Sequence, residues 1–139
     1  MLSGQRVHDI MGGQDEKAIV TWSDSADAAL GRMRGLGCDR LAVIDPYGVI
    51  GICERSVLQA YQQRGTWLGS ISVADLMRRG PFWCRQDDPL AKVLQSMERL
   101  KTDTLAVLDS RGRVVGTVHH DQLLTAQDMQ QRVRSDARH

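Results

Sequence analysis

The chain has 139 residues, 42% of them hydrophobic and 25% charged, which suits one soluble globular domain with a packed core. Aromatic residues make up only 4%, so aliphatic side chains and Met must fill most of that core. Lys and Arg (18) nearly cancel Asp and Glu (17), and a net charge of +1 argues against nucleic acid or an anionic membrane as the main partner.

In chain order, Val7-His8-Asp9-Ile10-Met11 comes first, a short lead-in. Lys17-Ala18-Ile19-Val20-Thr21-Trp22 is rich in β-branched and aromatic residues and predicts a strand. Ser23-Asp24-Ser25 offers helix-capping residues, and Ala26, Ala29, Leu30, Met33 and Leu36 follow in steps of three and four, one buried helical face. Gly35-Leu36-Gly37 should end that helix, with Gly in a left-handed conformation. Leu41-Ala42-Val43-Ile44-Asp45 reads as a strand covered on both faces. Asp45-Pro46-Tyr47-Gly48 is a turn, in which Asp bonds the backbone two residues on. Val49-Ile50-Gly51-Ile52-Cys53 returns as a hairpin strand, and a helix near residues 56–62 closes the unit.

The same order then repeats. Val73-Ala74-Asp75-Leu76-Met77 matches the first lead-in, and Pro81-Phe82-Trp83-Cys84 is a weaker first strand. Asp88-Pro89 places a capping Asp before a Pro at the first helical position. Leu90, Val93, Leu94, Met97 and Leu100 form the apolar face. Lys101-Thr102 stands where the first half has its glycines, so this helix should leave by a different geometry. Leu105-Ala106-Val107-Leu108-Asp109, a turn at 109–112, a return strand Val114-Val115-Gly116-Thr117-Val118 and a helix near 121–132 complete the second half. At an offset of 64, Asp24/Asp88, Leu30/Leu94, Met33/Met97, Leu36/Leu100, Asp39/Asp103, Leu41/Leu105, Ala42/Ala106, Val43/Val107, Asp45/Asp109 and Gly48/Gly112 are identical. One inserted residue shifts the offset to 65 for Gly51/Gly116 and Leu58/Leu123. The chain is thus a tandem duplication of a β-α-β-β-α motif, of α/β (α+β) class. Motif 1 spans 7–64, motif 2 spans 72–128, and a polar tail covers 129–139. Each half alone would leave a hydrophobic sheet face open, so the two are expected to pack about a pseudo-twofold axis into one module over 1–139.

This ordered duplication resembles a tandem pair of CBS domains, named after cystathionine β-synthase. The carrying residues are Asp9-Ile10-Met11 and Asp75-Leu76-Met77, the capped helices, the two strands ending in Asp45 and Asp109, and the glycines of the return strands. The resemblance covers about residues 7–128. It implies a flat module with two clefts, commonly a homodimer, that binds AMP, ATP or S-adenosylmethionine. It also implies regulation of a separate protein partner in trans, with no cofactor required.

Ligand-binding members follow the return-strand Gly with two apolar residues, a Ser or Thr that contacts phosphate, two variable residues, and an Asp that holds the ribose hydroxyls. From Gly51 this chain gives Glu54 in the hydroxyl slot, then Arg55, and Val57 in the Asp slot. Val accepts no hydrogen bond, and Glu54 would repel phosphate unless Arg55 screened it. With Ile19, Asp39 and Arg40 facing it, the first site is expected to be degenerate. From Gly116 the chain gives His119 and His120, then Asp121, with Gln122 in the Asp slot. Gln122 can still accept from one ribose hydroxyl and donate to the other, and a protonated His119 or His120 could meet a phosphate. Asp121 replaces the missing Asp by a one-residue shift or, more simply, caps the last helix. Asp103 and Thr104 complete this cleft, and Phe82 either stacks on a purine or is a core aromatic.

Adjacent His119 and His120 point opposite ways on a strand, so one metal ion cannot readily take both. No P-loop, GxGxxG or GxSxG is present, and a catalytic role is not expected. Arg78-Arg79 carries positive charge, for which a phosphate-facing role is conceivable but unsupported by the sequence, and Trp67, in the linker, is the best aromatic for a dimer or partner contact. Cys38, Cys53 and Cys84, odd in number and with no CxxC pair, read as free thiols of a reducing cytoplasm. With no apolar run long enough to span a bilayer and no apolar stretch at 1–6, a cytoplasmic protein is expected. Two functions compete: a nucleotide-sensing regulatory module, and a ligand-free dimerisation or protein-interaction module that has lost its ribose contact.

Overall fold

Two hairpins of matching geometry organise the chain. The computed structural model describes residues 5–11 and 18–126. In chain order the elements are α1 (Val7–Met11), β1 (Ile19–Thr21), α2 (Ala26–Leu36), β2 (Arg40–Asp45), β3 (Gly48–Glu54), α3 (Arg55–Gln63), a 3-10 turn (Leu68–Ser70), α4 (Val73–Leu76), β4 (Arg78–Arg79), β5 (Trp83–Arg85), α5 (Leu90–Leu100), β6 (Thr104–Leu108) and β7 (Val114–His119), and residues 120–126 are helical. The polar tail at 129–139 lies outside the described residues.

The chain divides into two compact units: Glu16–Phe82, and Met1–Asp15 with Trp83–His139. In the first, β1 runs parallel to β2, with Ile19 opposite Ala42, and β2 runs antiparallel to β3. In the second, β5 runs parallel to β6, with Trp83 opposite Ala106, and β6 antiparallel to β7. The registers coincide at the offset of 64. Even the bulge recurs, between Val43 and Ile44 and between Val107 and Leu108. The extra residue that moves the offset to 65 sits in the second turn. Leu108 pairs with Val114 across it, whereas Asp45 pairs with Gly48 across the first.

The units cut across the sequence repeats. α1, from the start of the first repeat, packs on β7 of the second unit, and its Val7 N–H donates to Asp88 O at 3.2 Å. Conversely α4, from the start of the second repeat, packs against α2, and β4 adds to the first sheet beside β3. The two motifs have exchanged their lead-ins. Gly51 admits β4: a Cβ there would lie 2.7 Å from the Arg78 carbonyl oxygen. The core of the first unit gathers Val20, Ala29, Leu30, Met33, Leu41, Val43, Cys53, Leu58 and Val73. In the second, Val7, Leu90, Val93, Leu105, Val107, Val118 and Leu123 are buried. The apolar helical faces read from the sequence are therefore the ones buried, except that Leu36, Leu94 and Leu100 stay partly exposed.

Two local expectations need correction. Asp88 does not cap α5. Pro89 takes the cap position in extended backbone and Leu90 is the first helical residue, because Asp88 is used one turn earlier. Its Oδ2 accepts from Arg85 N–H at 2.9 Å, as Asp24 Oδ2 accepts from Thr21 N–H at 3.0 Å. The two Asp residues pin the strand-to-helix turn, and Ser25 caps α2 by accepting from Ala28 N–H. Nor does α5 leave by a different geometry. Lys101 adopts the left-handed conformation (φ 53°) that Gly37 adopts at the end of α2 (φ 67°), and each cap N–H returns to the helix carbonyls. The expected turns hold: Asp45 Oδ1 accepts from Tyr47 and Gly48 N–H, and Asp109 Oδ1 from Arg111 and Arg113 N–H. These donors, with Arg113 foremost, hold the Asp109 carboxyl below the usual carboxylate range.

Two measurements follow. A left-handed residue with a Cβ costs roughly 1–2 kcal/mol, partly offset because glycine loses more entropy on folding. Lys101→Gly should therefore raise stability in urea denaturation by about 0.5–1 kcal/mol, and Gly37→Ala should lower it. The three cysteines are free. Burial pushes the Cys53 thiol up to about 11 and the Cys84 thiol to about 12, and raises half-exposed Cys38 less. At pH 8 a thiol reagent should label Cys38 first and the other two only as the fold opens; three equal rates in the folded protein would contradict this burial.

Candidate functional site

Each unit turns the same corner where its return strand enters a helix. The first helical N–H donates back to the residue that precedes or opens the central strand: Arg55 N to Asp39 O at 2.8 Å, and His120 N to Asp103 O at 2.7 Å. The strap brings four equivalent positions together in each unit, and the side chains at those positions decide the chemistry.

In the first unit the corner is ionic. Glu54 ends β3, opposite Arg40 of β2. Its Oε2 accepts from Arg40 Nε at 3.2 Å and its Oε1 from Arg78 Nε at 3.2 Å. Arg55 Nη1 donates to Asp39 Oδ1 at 3.1 Å, while Arg55 Nε is buried with no hydrogen-bond partner. A cleft of about 330 Å³ is lined by Asp39, Arg40, Glu54, Arg55, Ser56 and Gln59. Of the residues expected here, Asp39, Arg40, Glu54 and Arg55 are joined. Ile19 sits in β1, half-buried, its carbonyl accepting from Arg32 Nε. Val57 packs against the core. Ser56, Gln59 and Arg78 were not assigned to this site from sequence. Gln59 lies four residues after Arg55 on α3, a spacing that puts both on one helix face.

In the second unit the corner carries a hydrogen-bond chain. Thr104, 3% exposed, donates from Oγ1 to Asp103 Oδ1 at 3.0 Å and lies 3.0 Å from His119 Nδ1. A hydroxyl has one proton. With that proton on the carboxylate, His119 must donate from Nδ1 to Thr104, which fixes the tautomer of a neutral ring. The order carboxylate–hydroxyl–imidazole is the wrong one for activating a nucleophile, which needs the imidazole to take the hydroxyl proton. Gln122 Oε1 accepts from His119 N–H at 2.8 Å, the reciprocal half of a capping box. Asp121 therefore does not cap the helix at 120–126. It lies in the first turn, one residue inside the helix, where its charge suits the helix N-terminus.

A larger cleft of about 510 Å³ adjoins this corner, lined by Gln5, Asp9, Ile10, Asp121, Gln122, Thr125 and Ala126. Gln5 Oε1 is buried with no hydrogen-bond partner. Gln5, Asp9 and Ile10 reach this cleft because α1 belongs to this unit, which the sequence order hides. Phe82 lies in the other compact unit, 2% exposed, with the Arg78 guanidinium 4.8 Å from its ring centre. At that exposure the ring is a core aromatic, the second of the two roles expected for it. Among the described residues no group of three or more His, Cys, Asp or Glu side chains is placed to hold a metal ion, and no helix is long and apolar enough to cross a membrane.

Residues 73–128 match the model of the CBS domain. The fold agrees along nearly the whole chain with CBSX2, a CBS-pair protein of Arabidopsis thaliana: TM-score 0.76 at 24% identity, covering 94% of this chain and 99% of that one. The chain carries a CBS domain and has the CBS-pair fold. The structure of CBSX2 in complex with AMP matches at TM-score 0.73, 24% identity, and 92% and 99% coverage. The CBS domain pair of protein MJ0100, in complex with 5′-methylthioadenosine and S-adenosyl-L-methionine, matches at 0.72, 19% identity, and 91% and 98% coverage. A search of curated proteins found no match by sequence. The CBS-pair geometry makes the return-strand glycine testable. A Cβ on Gly51 meets backbone at 2.7 Å and Met77 Sδ at 3.0 Å, and overpacking of this kind costs typically about 1–3 kcal/mol. Gly51→Ala should lower stability by that amount in denaturant unfolding.

Proposed function

We propose that this CBS-pair chain is a regulatory binding module without catalytic activity, which takes an adenosine-containing ligand in the cleft lined by Gln5 and Gln122. The observation that carries this is Gln5 Oε1, a buried acceptor left without a donor on the wall of a cleft of about 510 Å³. Such an orphan costs about 1–3 kcal/mol, which a ligand N–H or O–H would relieve. The adenine amino group and the ribose hydroxyls are donors of this kind. Gln122, whose Oε1 already serves the helix, keeps a second lone pair and two N–H donors for a ribose. The volume lies in the range of small-molecule sites. AMP bound to CBSX2, and the adenosine ligands of the MJ0100 pair, name the chemistry to try: AMP, ATP and S-adenosylmethionine. No required cofactor, nucleic acid or membrane enters this reading.

The module would act on a separate protein in the cytoplasm, as a homodimer. Trp67, 75% exposed in the segment between the hairpin units of the sequence, offers the aromatic contact. This exposure, with Val57 in the core and Phe82 covered by Arg78, also favours the second reading, a ligand-free dimerisation or protein-interaction module.

A thermal-shift titration separates the two. A ligand at 100 times its Kd should add about 2.7 kcal/mol of stability. Gln5→Leu, which removes the orphan acceptor, should weaken that response without lowering the melting point of the unliganded protein. No response to AMP, ATP, S-adenosylmethionine or 5′-methylthioadenosine would leave the interaction module, and Trp67→Ala should then convert a dimer to monomer in size-exclusion chromatography.

A further inference from the structure

At the offset of 65, Ser56 of the first unit and Asp121 of the second hold equivalent places, each one residue inside the helix that the return strand enters. The first turn of α3 has no acidic residue, whereas the helix at 120–126 has Asp121 there. A helix N-terminus draws anions, and a carboxylate in its first turn offsets that pull. Asp121 is exposed and lines the cleft of about 510 Å³, and Asp9, also exposed, lines it from α1. Asp9 Oδ2 already accepts from Arg6 N–H at 2.9 Å, so Asp121 weighs more. The other described lining residues, Gln5, Ile10, Gln122, Thr125 and Ala126, supply amides, a hydroxyl and apolar carbon, with no Lys, Arg or His among them. His119 and His120 precede Asp121 in the chain but are not among these lining residues. The cleft of the first unit, by contrast, has Arg40 and Arg55 in its wall.

We propose that the Gln5 cleft selects among adenosine ligands by charge: it takes a nucleoside whose 5′ group is neutral or cationic and turns away one that carries phosphate. Such selection rests on the reading of this cleft as an adenosine site, and it narrows the class of ligand within it. Adenine and ribose bring N–H and O–H donors, which Gln5 Oε1, Gln122 and the Asp121 carboxylate can accept. A phosphate brings acceptors only, to a wall whose described residues supply two carboxylates and no cationic donor. A phosphate dianion about 6 Å from an exposed carboxylate is disfavoured roughly tenfold even in the dielectric of water. A sulfonium or ammonium group at about the same distance gains roughly threefold.

The test is titration calorimetry in low salt, where screening is weakest, with adenosine, 5′-methylthioadenosine, S-adenosylmethionine, AMP and ATP. The first three should bind roughly tenfold more tightly than AMP, and ATP more weakly still. Asp121→Asn, which keeps the shape and removes the charge, should narrow the gap between adenosine and AMP, and Asp121→Lys should close or invert it. Equal affinity of the wild type for adenosine and AMP would overturn the selection and leave the adenosine reading standing. A gap that neither substitution moves would show that Asp121 does not set it, and this too overturns the proposal. Adenosine binding that Gln5→Leu leaves unchanged, or no binding of any of these ligands, would sink the adenosine reading and the selection with it. Should Asp121→Lys not fold, the wild-type comparison and Asp121→Asn decide between the same outcomes.

Discussion

The strap between the first helical N–H and the carbonyl at the entry of the central strand governs both halves of this protein. It ties Arg55 to Asp39 and His120 to Asp103. Without it the return strand would reach its helix with an unsatisfied donor, and the helix start would be free to swing away from the sheet. With it, the end of β3 or β7, the start of β2 or β6 and the first helical turn are held within hydrogen-bonding distance of one another. The site is a by-product of this closure. The backbone fixes four positions, and the side chains placed there are free to vary without disturbing the ladder.

That freedom explains how two halves with matching registers acquire different side-chain chemistry at their corners. At one corner, Arg40 and Glu54 face each other across a strand pair. At the other, the same positions hold Thr104 and His119, joined in a hydrogen-bond chain that ends on Asp103. The first arrangement gains from charge attraction but ties its side chains to one another. The second leaves the amide of Gln122 with hydrogen-bonding capacity beside a cleft. Duplication preserved the frame while the side chains at the corners diverged.

Much of this was legible in the sequence, because the repeat is a physical ruler. An offset of 64 predicts that Ile19 and Trp83 meet equivalent partners, and both pair with the Ala of the following strand. The change to 65 predicts an insertion, and the second turn is one residue longer. What stayed hidden depends on distance along the chain. Glu54 and Arg78 are far apart in sequence, and nothing local announces their ion pair. The exchange of lead-ins is equally silent, since a five-residue apolar segment does not reveal which sheet will cover it. Lys101 shows another limit. Glycine signals a left-handed turn, but a turn imposed by its surroundings can hold a residue that prefers another conformation. Gln122 was singled out by its slot in the family pattern that the chain resembles, and its capping bond emerged only from geometry.

The exchanged lead-ins also order events during synthesis. The unit of Glu16–Phe82 is one uninterrupted stretch, so every strand of its sheet has left the ribosome once β4 emerges. The other unit combines α1, made before that stretch, with a sheet made after it. Val7 must wait for Asp88, and its apolar side chain stays uncovered while the intervening unit is built. The contiguous half can therefore fold during translation, and the divided half only after β7 has been released. A ligand or partner that needs Gln5 beside Gln122 can recognise only a chain whose synthesis has passed that point.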